Sequence, residues 1–219
     1  MALHNNALIT MNGLTFLEEH GKMKNYDSFK EDLGQPQGIQ NVKYTIFISS
    51  TYSDLKEERA ALTNSLLSKN FIPVGMELFH AVPADQWTVI TKMLEECDYY
   101  LLIIGGRYGS IDPEAGISYT EKEYNYAREQ GIPVIAFLPK NPENIVAGKM
   151  DSCQDQLSSF KEKIKNGGNT VAFYEGIENL KVEVLSSLDN LLKFAPRPGW
   201  VRTSELYKTQ QKAHGLEWH

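Results

Sequence analysis

Apolar residues along the chain fall into short continuous runs, and the stretches between them carry apolar positions at helical spacing. Residues 44–48, 71–76, 99–104, 133–137 and 170–174 are rich in β-branched and aromatic side chains and predict five strands. The third run is apolar throughout, as a parallel strand buried on both faces requires. A helix capped by Ser53 or Asp54 is expected to run to about Lys69, with Leu55, Ala60, Leu62, Leu66 and Leu67 as its apolar positions. A short helix over 86–96 places Trp87, Ile90 and Leu94 on one face, and residues 77–85 before it read as a loop. The next helix is capped by Ser118 or Thr120 and closes at Gly131. A polar helix over 151–166 ends at Gly167-Gly168, and an amphipathic one over 179–192 carries Leu180, Val184, Leu188 and Leu191.

Strands and helices alternating in this way predict a doubly wound α/β fold, a parallel five-stranded sheet with helices on both faces and right-handed crossovers. Pro73 belongs at a sheet edge, which gives the flavodoxin-like order 2-1-3-4-5. The switch point then lies between the first and third strands. It sets the Ser49-Ser50-Thr51 loop beside the glycine-rich loop 105–118, with Glu123 facing the same crevice. The α/β domain is expected over 43–193. Residues 1–42 form an N-terminal extension with one helix between Gly13 and Lys30 and a linker over 34–40. Residues 194–219 form a C-terminal arm with Trp200 as an aromatic anchor and a further helix after Ser204.

A chain of 219 residues fits one such domain with extensions, and 42% hydrophobic residues suffice for its core. The net charge of -6 and pI near 5.4 argue against a nucleic-acid partner. Lys161, Lys163 and Lys165 read as the solvated face of a helix. The two cysteines, Cys97 and Cys153, lack metal-type spacing, so no metal is expected, and Cys97 sits in an apolar stretch as a buried thiol. No run approaches the ~18 apolar residues that cross a bilayer, and the first residues lack a signal peptide's basic and apolar regions. These features together place the chain in the cytoplasm, away from membranes.

The candidate chemistry centres on Glu123. Thr120-x-x-Glu123 has capping-box spacing, so this carboxylate either caps its helix or faces the crevice one turn in. Ser49, Ser50 and Thr51 offer hydroxyls and amides for phosphates or ribose hydroxyls, Arg107 a cation for a phosphate, and Tyr108 or Tyr119 a ring for a base.

Residues 43–59, 97–110 and 118–124 together resemble the TIR-like superfamily, specifically a TIR-like domain that stands ahead of signalling ATPase modules in bacterial proteins. The resemblance covers residues 43 to about 138. TIR enzymes carry a Ser-x-x-Cys-x-x-Glu pattern whose glutamate cleaves NAD. Here Glu123 takes the glutamate position, Thr120 stands where the cysteine would be, and Ser118 is one residue nearer than the pattern asks. Nucleoside deoxyribosyltransferases share a similar unit, and Glu123 precedes Pro133 at the spacing it requires. Both comparisons choose Glu123 over Glu121. The resemblance implies an NAD glycohydrolase or ADP-ribose cyclase in bacterial antiviral defence or signalling, with NAD as substrate and no cofactor. It also implies a homo-oligomer or a partnership with a signalling ATPase. A nucleoside or nucleotide N-glycosidase or deoxyribosyltransferase on the same scaffold is the second reading, with Asp98 or Glu121 as its acid. A non-catalytic TIR-like interaction module is the third.

Overall fold

The computed structural model describes residues 8–10, 13–17, 23–25, 42–75 and 85–204. The chain divides into two compact units, one made of Met1–Asn41 with Val201–His219, the other of Val42–Trp200.

In the first unit, β1 (Leu8–Thr10), β2 (Gly13–Leu17) and β3 (Met23–Asn25) form an antiparallel sheet in sequence order. Leu8 pairs with Thr15, and Thr15 with Asn25. Strands thus stand where a helix was expected between Gly13 and Lys30. The local sequence agrees with the correction, since Thr15 and Phe16 favour extended backbone and Gly13 is a poor helix former. The linker over 34–40, the loop over 77–84 and the helix expected after Ser204 lie outside the described residues.

The second unit alternates β4 (Thr45–Ser49), α1 (Tyr52–Ser68), β5 (Ile72–Val74), α2 (Gln86–Glu95), β6 (Tyr99–Ile103), α3 (Tyr119–Glu129), β7 (Val134–Pro139), α4 (Gln154–Asn166), β8 (Thr170–Tyr174) and α5 (Gly176–Phe194). All five strands pair in parallel in the order β5-β4-β6-β7-β8. Numbered within the sheet this is the flavodoxin-like order 2-1-3-4-5, and Pro73 lies on edge strand β5 as its missing N–H requires. β4 and β6 are buried along their whole length, which accounts for their unbroken apolar runs.

Alternate residues of these strands feed two cores. Phe47, Tyr100, Leu102 and Ala136 face α2, α3 and α4, where Ile90, Leu94, Tyr124 and Phe160 meet them. Ile46, Ile48, Leu101 and Phe137 face α1 and α5, packing on Leu62, Leu66, Val184 and Leu188. Both faces are thus covered, and what remains for function is the sheet's ends.

The amino end is closed by the chain after α5. Asp98 accepts the Thr45 amide at 2.9 Å and the Gly199 amide at 3.1 Å. Lys43 and Trp200 exchange backbone hydrogen bonds of 2.9 and 2.6 Å. Trp200 anchors this segment by its backbone and not by its ring, which is 56% exposed. At the other end, α1 starts two to three residues earlier than expected. Its N-cap is Thr51, whose hydroxyl donates to Asp54 at 2.5 Å.

Candidate functional site

The start of α3 decides which glutamate caps it. Ser118 is fully buried, and its Oγ accepts the Glu121 amide at 3.2 Å. The capping pair is therefore Ser118 with the residue three positions on, and the Thr120–Glu123 box is not the one used. Glu121 is buried, because its turn of α3 faces α4 and the glycine loop. Its Oε2 accepts the Tyr108 hydroxyl at 2.7 Å, and its Oε1 accepts Lys163 Nζ at 2.8 Å. Lys163 keeps the solvent exposure expected for it, at 46%, while its ammonium reaches across to this carboxylate. The Tyr108 ring is 3% exposed and packs edge-on against Phe160, so it offers no face for stacking on a base.

Glu123 lies half a turn further round α3, on the face turned to β4. It is 6% exposed, and its Oε2 accepts the Ser49 hydroxyl at 2.5 Å. Ser49 is the last residue of β4 and points to the same side of the sheet as Phe47. The result is a carboxylate held at the carboxyl end of the central strands, where open α/β sheets bind ligands.

Loop residues around it are tied by a second set of bonds. Arg59 Nη1 donates to the Ile48 carbonyl at 3.0 Å and to Ser50 Oγ at 2.9 Å. Asp54 accepts from Thr51 and from the Gly106 amide, the latter at 3.1 Å, which joins the 49–51 loop to the glycine loop. A side chain on Gly105 would run into Asp54 Oδ2. Gly109, at a φ of 97°, turns back toward Thr51, with which any Cβ there would collide. The two loops flanking the switch point therefore touch, as the strand order requires.

Of the residues singled out in the sequence, Ser49, Ser50 and Thr51 lie with Glu123 at this crevice. Ser118 and Tyr108 serve the capping and packing just described. Arg107 turns to the 147–149 segment, where Nη2 donates to the Gly148 carbonyl at 3.0 Å. Tyr119 is half-buried, its amide bonded to the Ser110 carbonyl at 3.0 Å. Arg59 and Tyr100 escaped the sequence reading, which takes Asp54 only as a helix cap. Arg59 could have been found, because positions 55, 59, 62 and 66 form the buried stripe of α1 and a charge within such a stripe calls for a partner. Tyr100 is fully buried and stacks on Phe47 at 5.7 Å between ring centres. Burial, and then the Glu123 charge, push its phenol well above the ordinary tyrosine value, while the Ser49 hydroxyl beside it pulls the other way.

A groove of about 270 Å³ opens beside Arg59, bordered by Tyr52, Lys56, Asn64 and Val74. Tyr52 is 54% exposed there, with Lys56 Nζ 5.9 Å from its ring centre. A separate cleft of about 420 Å³ lies between α1 and the ends of β6 to β8, lined by Asp54, Glu58, Lys149 and Glu175 among others, and neither opening has Glu123 among its lining residues. Among the described residues no three His, Cys, Asp or Glu side chains gather as a metal site, and no helix is long and apolar enough to cross a membrane.

A family model described as "Domain of unknown function (DUF4062)" matches residues 45–189. No curated protein matches the chain in sequence. Among solved structures, a CMP N-glycosidase of Clostridium botulinum is similar at 14% identity, over 65% of this chain and 98% of its own, with a TM-score of 0.39. The TIR domains of the activated Roq1 resistosome are similar at 12% identity, over 80% of this chain and 99% of theirs, with a TM-score of 0.39. A short-chain flavodoxin associated with a bacterial microcompartment is similar at 12% identity, over 68% and 98%, with a TM-score of 0.35. Similarities of this size assign no activity.

Proposed function

Because the chain belongs to the DUF4062 family, whose description leaves the activity open, we propose one from the site itself: an NAD-consuming, TIR-like enzyme with Glu123 as its catalytic carboxylate. The observation that carries this reading is the Glu123 carboxylate, buried at the carboxyl end of the sheet and held by Ser49 at 2.5 Å. The cap of α3 is supplied by Ser118, so capping does not account for Glu123.

The chemistry needs little else. When the bond between ribose C1′ and the nicotinamide nitrogen breaks, its electron pair goes to the pyridinium ring, and nicotinamide leaves neutral without a general acid. Positive charge builds on the ribose as an oxocarbenium ion, which one ionised carboxylate stabilises. Water then attacks C1′ and releases a proton, giving ADP-ribose; attack by an adenine nitrogen gives the cyclic product. Arg59, Lys56 and the exposed Tyr52 ring border a groove whose lining stops short of Glu123 but offers cationic and aromatic groups to a diphosphate and an adenine.

An ordinary nucleoside needs its leaving base protonated by a second carboxyl. Asp98 sits at the opposite end of the sheet, bound to the Thr45 and Gly199 amides. Glu121 is held by Lys163 and Tyr108. Neither is placed to serve as that acid beside Glu123, which favours NAD. We assign the activity to bacterial defence or signalling and to a self-associated form, on the resemblance to TIR enzymes. The test is release of nicotinamide from NAD, with products identified by mass, for wild type and Glu123→Gln across protein concentrations. Cleavage of deoxynucleosides but not NAD would move the assignment to an N-glycosidase, and a folded, self-associated protein inert on both would make it an interaction module.

A further inference from the structure

Tyr100 carries a hydroxyl that packing alone does not explain. The ring is fully buried on β6 and stacks on Phe47, a task phenylalanine would perform equally well. Its hydroxyl lies beside the Ser49 hydroxyl but meets no partner at full hydrogen-bond geometry among the described residues. A buried polar group left unpaired costs stability, and in a native protein such a group calls for an explanation.

The surroundings supply one. Phe47 pairs with Tyr100 across the sheet, and Ser49 pairs with Leu102, so Tyr100 and Ser49 are diagonal neighbours on one face. The Ser49 hydroxyl is turned to Glu123. A serine oxygen that donates its one proton keeps two lone pairs for incoming donors. The ionisable groups around the phenol are Glu123 and Tyr124 on α3 and Arg59 on α1, and burial keeps the phenol protonated and therefore a donor.

We infer that Tyr100 is a positioning residue whose hydroxyl donates to Ser49 Oγ when the site engages its ligand, completing a relay from Tyr100 through Ser49 to Glu123. The relay holds the carboxylate in its ionised form and fixed rotamer, and hydrogen bonds in series strengthen one another. Tyr100 never touches the substrate. Its effect falls on the transition state, where the carboxylate's orientation matters, and not on binding. The inference rests on the NAD-cleaving reading for its catalytic consequence, though not for the relay itself.

The experiment is a double-mutant cycle in the full-length protein with Tyr100→Phe, Ser49→Ala and both. Tyr100→Phe is expected to lower kcat three- to tenfold with KM nearly unchanged, while its thermal midpoint stays level or rises because an unpaired hydroxyl is gone. In the Ser49→Ala background Tyr100→Phe is expected to have no further effect, since its only route is through Ser49. A second arm needs no turnover: the titration of the Glu123 side-chain carboxyl carbon by NMR. There Tyr100→Phe shifts the midpoint upward, because a relay stabilising the anion is lost, and does so only when Ser49 is present. An unchanged kcat and titration, equal losses with and without Ser49, or a loss of activity that tracks a fall in stability would overturn the relay. A wild type that leaves NAD intact but shows the titration shift sinks the proposed reaction and keeps the relay.

Discussion

Ser49 and Glu123 stand 74 positions apart in the chain and share a hydrogen bond of 2.5 Å at the carboxyl end of the sheet. The bond joins the end of the first core strand to the helix after the third, across the switch point of the fold. Removing the donor takes one hydrogen bond away from a buried carboxylate. Ser49→Ala is therefore expected to cost about 1–3 kcal/mol of stability by urea denaturation and to lower NAD turnover about tenfold, which is about 1.4 kcal/mol of transition-state stabilisation. Ser49→Thr, which keeps the hydroxyl, should retain most of both.

Gly105 faces Asp54 so closely that a methyl group there would displace the Asp54 carboxylate. That carboxylate also holds the Gly106 amide. Gly105→Ala is expected to destabilise the domain by about 1–3 kcal/mol, as overpacking does, and to loosen the loops on either side of the crevice. Amide hydrogen exchange at Gly106 should rise in the variant relative to the β7 amides.

Asp98 tests whether a buried carboxylate near a central strand is catalytic by virtue of burial alone. It ties the amino end of β4 to Gly199 and lies away from Glu123. Asp98→Ala leaves two backbone amides unpaired and should cost about 2 kcal/mol, seen as a drop of roughly 4–8 °C in the thermal midpoint of a domain this size. Turnover per folded molecule should stay near wild type.

Cys97 is buried, and that burial, with the charges of Asp98 and Glu96, pushes its thiol up to about 12. Burial likewise takes the Tyr99 phenol up to about 12. In the folded protein at pH 8 Cys97 should resist a thiol reagent while the half-buried Cys153 reacts, and both should react in urea. Raised folded values favour the protonated state, so their contribution to stability is complete below the unfolded thiol's value of 9.0 and is lost as pH rises toward about 12. The urea midpoint should accordingly fall on going from pH 8.5 to 10.5.

The sheet order was legible because one residue, Pro73, cannot donate within a ladder and so marks an edge, and because β4 and β6 are apolar on both faces. Glu123 was legible as a candidate by its place in the first turns of α3. What the sequence concealed was long-range. Ser118 and Thr120 both suit a cap, and only the packed fold shows that Ser118 takes the role and leaves Glu123 free of it. Glu121 reads as a surface residue until α4 brings Lys163 across from 42 positions away. Tyr108 reads as a ring for stacking until Phe160 covers it. The strands between Gly13 and Asn25 were hidden for another reason: Leu14, Phe16 and Leu17 satisfy helical and extended spacing alike over so short a run.

The most direct test of the central claim compares NAD consumption by wild type, Glu123→Gln and Glu121→Gln, at low and high protein concentration, with products identified by mass. The account predicts nicotinamide and an ADP-ribose product from wild type, rising with self-association. It predicts loss of at least a hundredfold in Glu123→Gln, and activity within a few-fold of wild type per folded Glu121→Gln molecule. Equal NAD consumption by wild type and Glu123→Gln, or loss confined to Glu121→Gln, would contradict it.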